Sequence, residues 1–153
     1  MYQLQQFIRA GEQYVETLKH FKSFAAHVEE AIASDKIPTL KLIEANEASL
    51  KFRLFGVDHV LWFNFDPFPP SREMALRTPT ATVTLYKVDA LDDDKLIAHR
   101  SAVLDYKGYL YVGKPAEAID VGDLRTVEAR EAAASAFLYL LNPVWTGYEG
   151  VSL

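Results

Sequence analysis

Ser49 to Phe65 reads SLKFRLFGVDHVLWFNF, and its period decides the fold. Leu50, Phe52 and Leu54 alternate with Lys51 and Arg53; beyond Gly56, Leu61 and Phe63 alternate with Val60 and Trp62. Alternation puts every second side chain on one face of a strand, the pattern of a half-buried sheet. The spacing predicts strands over 49–55 and 58–65 linked at Gly56. Such a short link makes them antiparallel neighbours, because a parallel return needs a crossover of about a dozen residues or more.

The same period extends to either side and predicts strands near 39–45, 80–88, 95–104 and 109–113. Asn46-Glu47 joins the first pair, Asp92-Asp93-Asp94 the fourth to the fifth, and Tyr106-Lys107-Gly108 the last hairpin. Gly108 suits a left-handed turn position there. Asp66 to Pro79 interrupts the pattern: Pro67, Pro69, Pro70 and Pro79 bracket Ser71 to Leu76, room for one or two helical turns. Within a meander this segment reads as a crossing connection rather than a functional loop. The expected sheet has five or six antiparallel strands.

Helical spacing frames the sheet. Leu4, Phe7, Gly11, Tyr14, Leu18, Phe21, Ala25, Val28 and Ile32 recur every three or four residues, which predicts one helix over 2–33. At 1.5 Å per residue it would run about 45 Å, long for a domain of this size. Ser34-Asp35 and Pro38 end it. A final helix is expected to start at a cap on Asp120 or Asp123 and to stop at Asn142-Pro143, burying Leu124, Val127, Ala134, Phe137, Leu138 and Leu141. Val144 to Leu153 reads as irregular. The fold class is α+β, residues 1–153 forming one domain with the C-terminal helix packed on the sheet.

Composition narrows the function. Half of the 153 residues are hydrophobic and 24% are charged, the balance of a soluble globular chain. With no cysteine, disulfide frameworks, thiol catalysis and Cys-ligated metals are excluded. A net charge of -5 disfavours nucleic acid and anionic membranes as partners. Even the most basic segment, 36–60, sets only four cations (Lys36, Lys41, Lys51, Arg53) against three acids (Glu44, Glu47, Asp58). A nucleic-acid platform built on Lys51, Arg53, Phe55, Tyr109 and Tyr111 would therefore lack an electrostatic footprint. No apolar run nears the ~20 residues that span a bilayer, and Met1 to Glu16 lacks the hydrophobic region of a secretory signal. A cytoplasmic protein is the expectation.

Alternation divides the strand residues into two faces. Leu50, Phe52, Leu54, Leu61, Phe63, Val83, Leu85, Leu110 and Val112 form a core face. The other face carries Arg53, Phe55, Trp62, Tyr86, Tyr109 and Tyr111 among Lys51, Val60, Thr82 and Thr84. Those six are the candidate binding residues, since Tyr, Trp and Arg bury area at interfaces while keeping a polar handle. Either the first helix or the tail covers this face, or both helices lie on the core face and leave it to a partner.

Motifs for chemistry are sparse. His20 and His27 share a helix face but lie about 10.5 Å apart along the axis, too far to ligate one metal. Asp58 and His59 are strand neighbours and so point to opposite faces, and His99 has Asp105 only further along its strand. Nucleophile-elbow, zinc-protease and phosphate-loop motifs are absent. Asp89, Asp92, Asp93 and Asp94 lack the spacing of a calcium loop and read as a solvated turn. No metal or cofactor is expected.

In size, acidity and element order the layout resembles the bacterial secretion chaperones, small α+β proteins, often dimeric, that hold an unfolded effector segment. The long first helix departs from their pattern, and none of their residues is carried over. The expected function is a non-catalytic protein-interaction module (adaptor, chaperone-like or regulatory) that binds another protein or itself as a homodimer. The alternative is a small-molecule-binding protein or enzyme with a pocket between a curved sheet and a helix, where His59, His99 or Tyr86 would supply the polar groups.

Overall fold

The hairpin at the centre of the sequence closes on two residues. Strands β2 (Ser49–Leu54) and β3 (Val57–Asp66) are joined by Phe55 and Gly56, with φ of 52° and 76°. Positive φ at both positions is the primed turn whose twist matches the flanking strands, and Gly56 adopts it without strain. Phe55 consequently sits in the turn, not on the strand face where alternation had put it. The register then aligns Leu54 with Val57 and Leu50 with Leu61.

The computed structural model describes residues 4–34, 36, 39–66, 80–89, 91, 92, 94–112 and 119–145. Around this hairpin β1 (Leu40–Ala45), β4 (Thr80–Val88), β5 (Leu96–Asp105), β6 (Tyr109–Val112) and β7 (Ile119–Asp123) complete an antiparallel sheet in strictly sequential order, β1 to β7. There are seven strands, not five or six. β7 escapes a period-two reading because Asp120, Gly122 and Asp123 fill three of its five positions. The order also corrects the expected crossing connection: β3 and β4 pair directly over eight residues, so the proline-rich link joins neighbours. Residues 67–79 themselves, like the tail beyond 145, lie outside the described residues.

Helices α1 (Leu4–Ala33) and α2 (Ala129–Trp145) pack together on one side of the sheet. All nine residues assigned to the core face are buried, and they share one apolar cluster with Phe21, Phe24, Val28 and Ile32 of α1 and Phe137, Leu140 and Leu141 of α2. Phe21 meets Phe63 at 5.2 Å and Phe137 meets Phe52 edge-on at 5.5 Å, so each helix is keyed to the sheet through an aromatic pair.

Both helices differ in detail from their sequence patterns. Only the C-terminal half of α1 is buried, from Thr17 to Ile32, and Phe24 takes the inner position expected of Ala25. In α2 the buried face is Ala129, Ala132, Ala133, Ala136, Phe137, Leu140 and Leu141, while Val127, Ala134 and Leu138 are exposed. Small side chains decide this rotation. A Cβ on Gly122 of β7 would lie 2.7 Å from Ala132 Cβ, so the helix approaches the sheet on its alanine face. Thr126 closes the turn that leads into the helix, its Oγ1 accepting from Glu128 N at 3.2 Å and its carbonyl from Ala129 N at 3.1 Å. Asp120 and Asp123 cap local turns instead, accepting from Gly122 N and Arg125 N at 2.8 Å. The helix continues past Asn142-Pro143 to Trp145. Neither described helix is long and apolar enough to cross a membrane.

Candidate functional site

Neither helix covers the outer face of the sheet, where five of the six candidate residues lie. Pairing of Val60 with Tyr86 and of Trp62 with Thr84 sets Trp62 and Tyr86 diagonally across β3 and β4. Tyr109 and Tyr111 lie on β6, three strands from Trp62, about 14 Å at roughly 4.8 Å per strand. Between them the face is mixed: Thr84 and Ser101 share a 2.8 Å hydroxyl hydrogen bond, while Val103, paired with Thr82 and Tyr111, is buried. Among the described residues these aromatics thus fall into two separate groups and form no continuous patch.

Three of the candidates are engaged within the chain. Arg53 Nε donates to Asp58 Oδ1 at 2.8 Å, with Lys51 Nζ 3.9 Å from the other oxygen. That hydrogen bond to Arg53 holds the Asp58 carboxyl below its usual range. The Arg125 guanidinium stands 5.5 Å over the Tyr109 ring. Tyr111 Oη lies 3.5 Å from Asp105 Oδ2, and its phenol is pushed up to about 12, first by burial and then by the Asp105 and Asp120 carboxylates. Asp105 is a hub of the β5–β6 turn: buried, it accepts from Lys107 N at 2.9 Å and Tyr109 N at 3.0 Å, yet burial pushes its carboxyl up. Trp62 is 48% exposed.

On the helix side, a stacked pair of histidines closes one end of the core. His59 Nδ1 lies 2.9 Å from Val57 O, so that nitrogen carries the proton and Nε2 is a bare acceptor. Phe52 stacks on the His59 ring at 5.4 Å and 7°, and the His99 ring lies 6.4 Å away on the other side. His99 is the extra residue of a bulge, since Leu85 pairs with Arg100 and Tyr86 with Ala98. Neither Nε2 has a hydrogen-bond partner among the described residues. Burial, aided by the nearby Lys87 ammonium, holds both imidazoles below their ordinary range and so neutral. Among the described residues no three His, Asp or Glu side chains converge as a metal site.

A groove of about 650 Å³ runs between the C-terminal half of α1 and α2. Leu40, Ala134, Phe137 and Leu138 give it an apolar floor, and His27, Glu30, Lys36 and Arg130 stand at its rim. Arg130 Nη2 is 3.3 Å from Glu30 Oε2, and His27 Nδ1 is 3.8 Å from the same oxygen. Sequence reading missed this groove because it assigned Ala134 and Leu138 to the buried stripe; Leu138 is 56% exposed.

A second open surface is the first half of α1. Leu4, Ile8 and Val15 are 74%, 52% and 50% exposed. With Gly11 they form a stripe turned about a third of a turn from the packed face of Phe21, Val28 and Ile32. A Cβ on Gly11 would meet nothing within 4 Å, and the helix is shallowly hollowed there beside Glu12, Val15 and Glu16.

No family model matches the chain, nor does any curated protein or solved structure. The likeness in layout to secretion chaperones therefore has no matched structure behind it.

Proposed function

We propose that this chain is a non-catalytic interaction module that forms a homodimer by antiparallel pairing of the first half of α1. The carrying observation is the exposed stripe of Leu4, Ile8, Gly11 and Val15 on a helix that outruns its own core. Glycine inside a helix costs about 1 kcal/mol relative to alanine. Among the described residues nothing approaches Gly11, so packing between them does not account for it. Close approach by another helix does. A second copy of the stripe fits by symmetry: with the two-fold axis at Gly11, Ile8 comes level with Val15 of the partner copy to within one residue, and Arg9 comes within about a turn of its Glu12 and Glu16.

Sedimentation velocity tests this reading. The wild-type chain is expected to sediment as a concentration-dependent dimer, and Ile8→Glu with Val15→Glu as a monomer with unchanged circular dichroism, since both positions are exposed. Gly11→Ala should act in opposite directions, raising monomer stability by about 0.5–1 kcal/mol while weakening association. A wild-type monomer at the highest attainable concentration, or a dimer indifferent to all three substitutions, overturns it.

A further inference from the structure

We propose that the groove between α1 and α2 binds an amphipathic monocarboxylate, a small acid with an acyl or aryl tail. Its volume of about 650 Å³ falls within the roughly 300–1,000 Å³ of small-molecule sites. The apolar floor is buried at Phe137 and Leu40, both 3% exposed, and open to solvent at Ala134 and Leu138. This suits the tail of a ligand, not a sugar or nucleotide.

Charge at the rim selects the head group. Two permanent cations, Arg130 and Lys36, and the imidazole of His27 share the rim with one carboxylate, Glu30. Glu30 already lies within 3.3 Å of Arg130 and 3.8 Å of His27, so the rim is seen holding a carboxylate between those two groups. Lys36 has no ion-pair partner among the described residues. His27 Nδ1 is shielded from solvent and lacks a hydrogen-bond partner, leaving polar capacity beside the apolar floor. A ligand carboxylate entering over the floor would meet Arg130 and Lys36 and compete with Glu30 for the former. A cationic or neutral head would leave Arg130 and Lys36 without added compensation. This proposal is independent of the dimer, whose residues lie at the opposite end of α1.

Isothermal titration of the full chain with decanoate, and with decanol and decylamine as matched controls, tests it. Decanoate is expected to bind one per chain, with the two controls at least tenfold weaker. Arg130→Gln should weaken decanoate binding about tenfold, the loss of one charge-assisted hydrogen bond. Glu30→Gln should strengthen it several-fold by removing the competing carboxylate. Ala134→Trp, at an exposed position, should fill the groove and abolish binding. All three variants should melt like the wild type. The assignment fails if decanoate does not bind, if decanol binds equally well, or if binding survives Ala134→Trp. It fails equally if Ala134→Trp abolishes dimerisation and decanoate cannot compete with it, since the occupant would then be a second copy.

Discussion

The guanidinium of Arg100 in β5 serves a carbonyl in α2 that its own helix leaves unpaired. Tyr139 O would accept from the amide of residue 143, but residue 143 is proline and has no N–H. Arg100 Nη1 lies 3.4 Å from that oxygen, and the same guanidinium sits 4.7 Å over the Tyr139 ring. One side chain thus satisfies the gap in the helix ladder, stacks on the residue that carries it, and ties α2 to the sheet. α2 continues to Trp145, past the proline expected to end it.

This relationship predicts a coupled pair. Arg100→Met should destabilise the chain by about 1–2 kcal/mol through the orphaned carbonyl and the lost stacking. In a Pro143→Ala background the restored amide pairs with Tyr139 O, so the same change should cost about 1 kcal/mol less. Urea denaturation of the four chains gives the coupling energy; strictly additive costs would mean that Pro143 and Arg100 are unrelated.

Gly122 is constrained twice. Its φ is +140°, and a Cβ would lie 2.7 Å from Ala132 Cβ. Gly122→Ala should therefore cost about 2–4 kcal/mol, strain and clash together. Adding Ala132→Gly should recover only the clash, because the backbone strain remains and glycine in α2 adds its own penalty of about 1 kcal/mol. Thermal melts that place Gly122→Ala within a degree of the wild type would refute the close packing of α2 on β7.

Buried His59 and half-buried His99 make stability depend on pH with a definite sign. Their folded-state affinities for protons lie below the unfolded value of 6.5, with burial the larger cause and Lys87 adding to it. As pH falls through 6.5 the unfolded chain takes up protons that the folded chain refuses, so stability present above that pH is lost below it. His59 contributes a slope of up to about 1.4 kcal/mol per pH unit in that window, and half-buried His99 a smaller one because solvent screens it. Asp105 opposes this further down: its raised carboxyl favours the folded state on protonation, in the range just above 3.8. Denaturation from pH 7.5 to 5 should show a slope that His59→Phe and His99→Gln each reduce. Parallel profiles for all three chains would mean that the imidazoles titrate as freely in the folded state as in the unfolded.

Sequence patterns were most legible where one local rule acted alone. The alternation of Leu50, Phe52, Leu54, Leu61 and Phe63 named the core face without error, since a strand has only two faces and one is apolar. The turn at Phe55-Gly56 shifted by one residue because positive φ at Phe55 carries no side-chain signal. Among the candidate residues, Trp62 and Tyr86 do lie together, but Tyr109 and Tyr111 do not join them. Which residues share a face follows from alternation; how many strands separate them follows from strand order, which alternation does not encode.

By itself the sequence determined the α+β class, the hairpins and the core face, all of which rest on short-range periodicity and turn chemistry. Tertiary structure alone decided the rotation of α2, the length of α1 left uncovered and the groove between them. Those depend on how closely two elements approach. Ala132 against Gly122 sets that distance for α2, and the last ring contacts of α1 with the sheet are those of Tyr14 with Phe63 and Phe65 at the end of β3. A helical stripe records which side chains are apolar, whereas burial needs an opposing surface at the right height, and for Leu4, Ile8 and Val15 the described residues supply none.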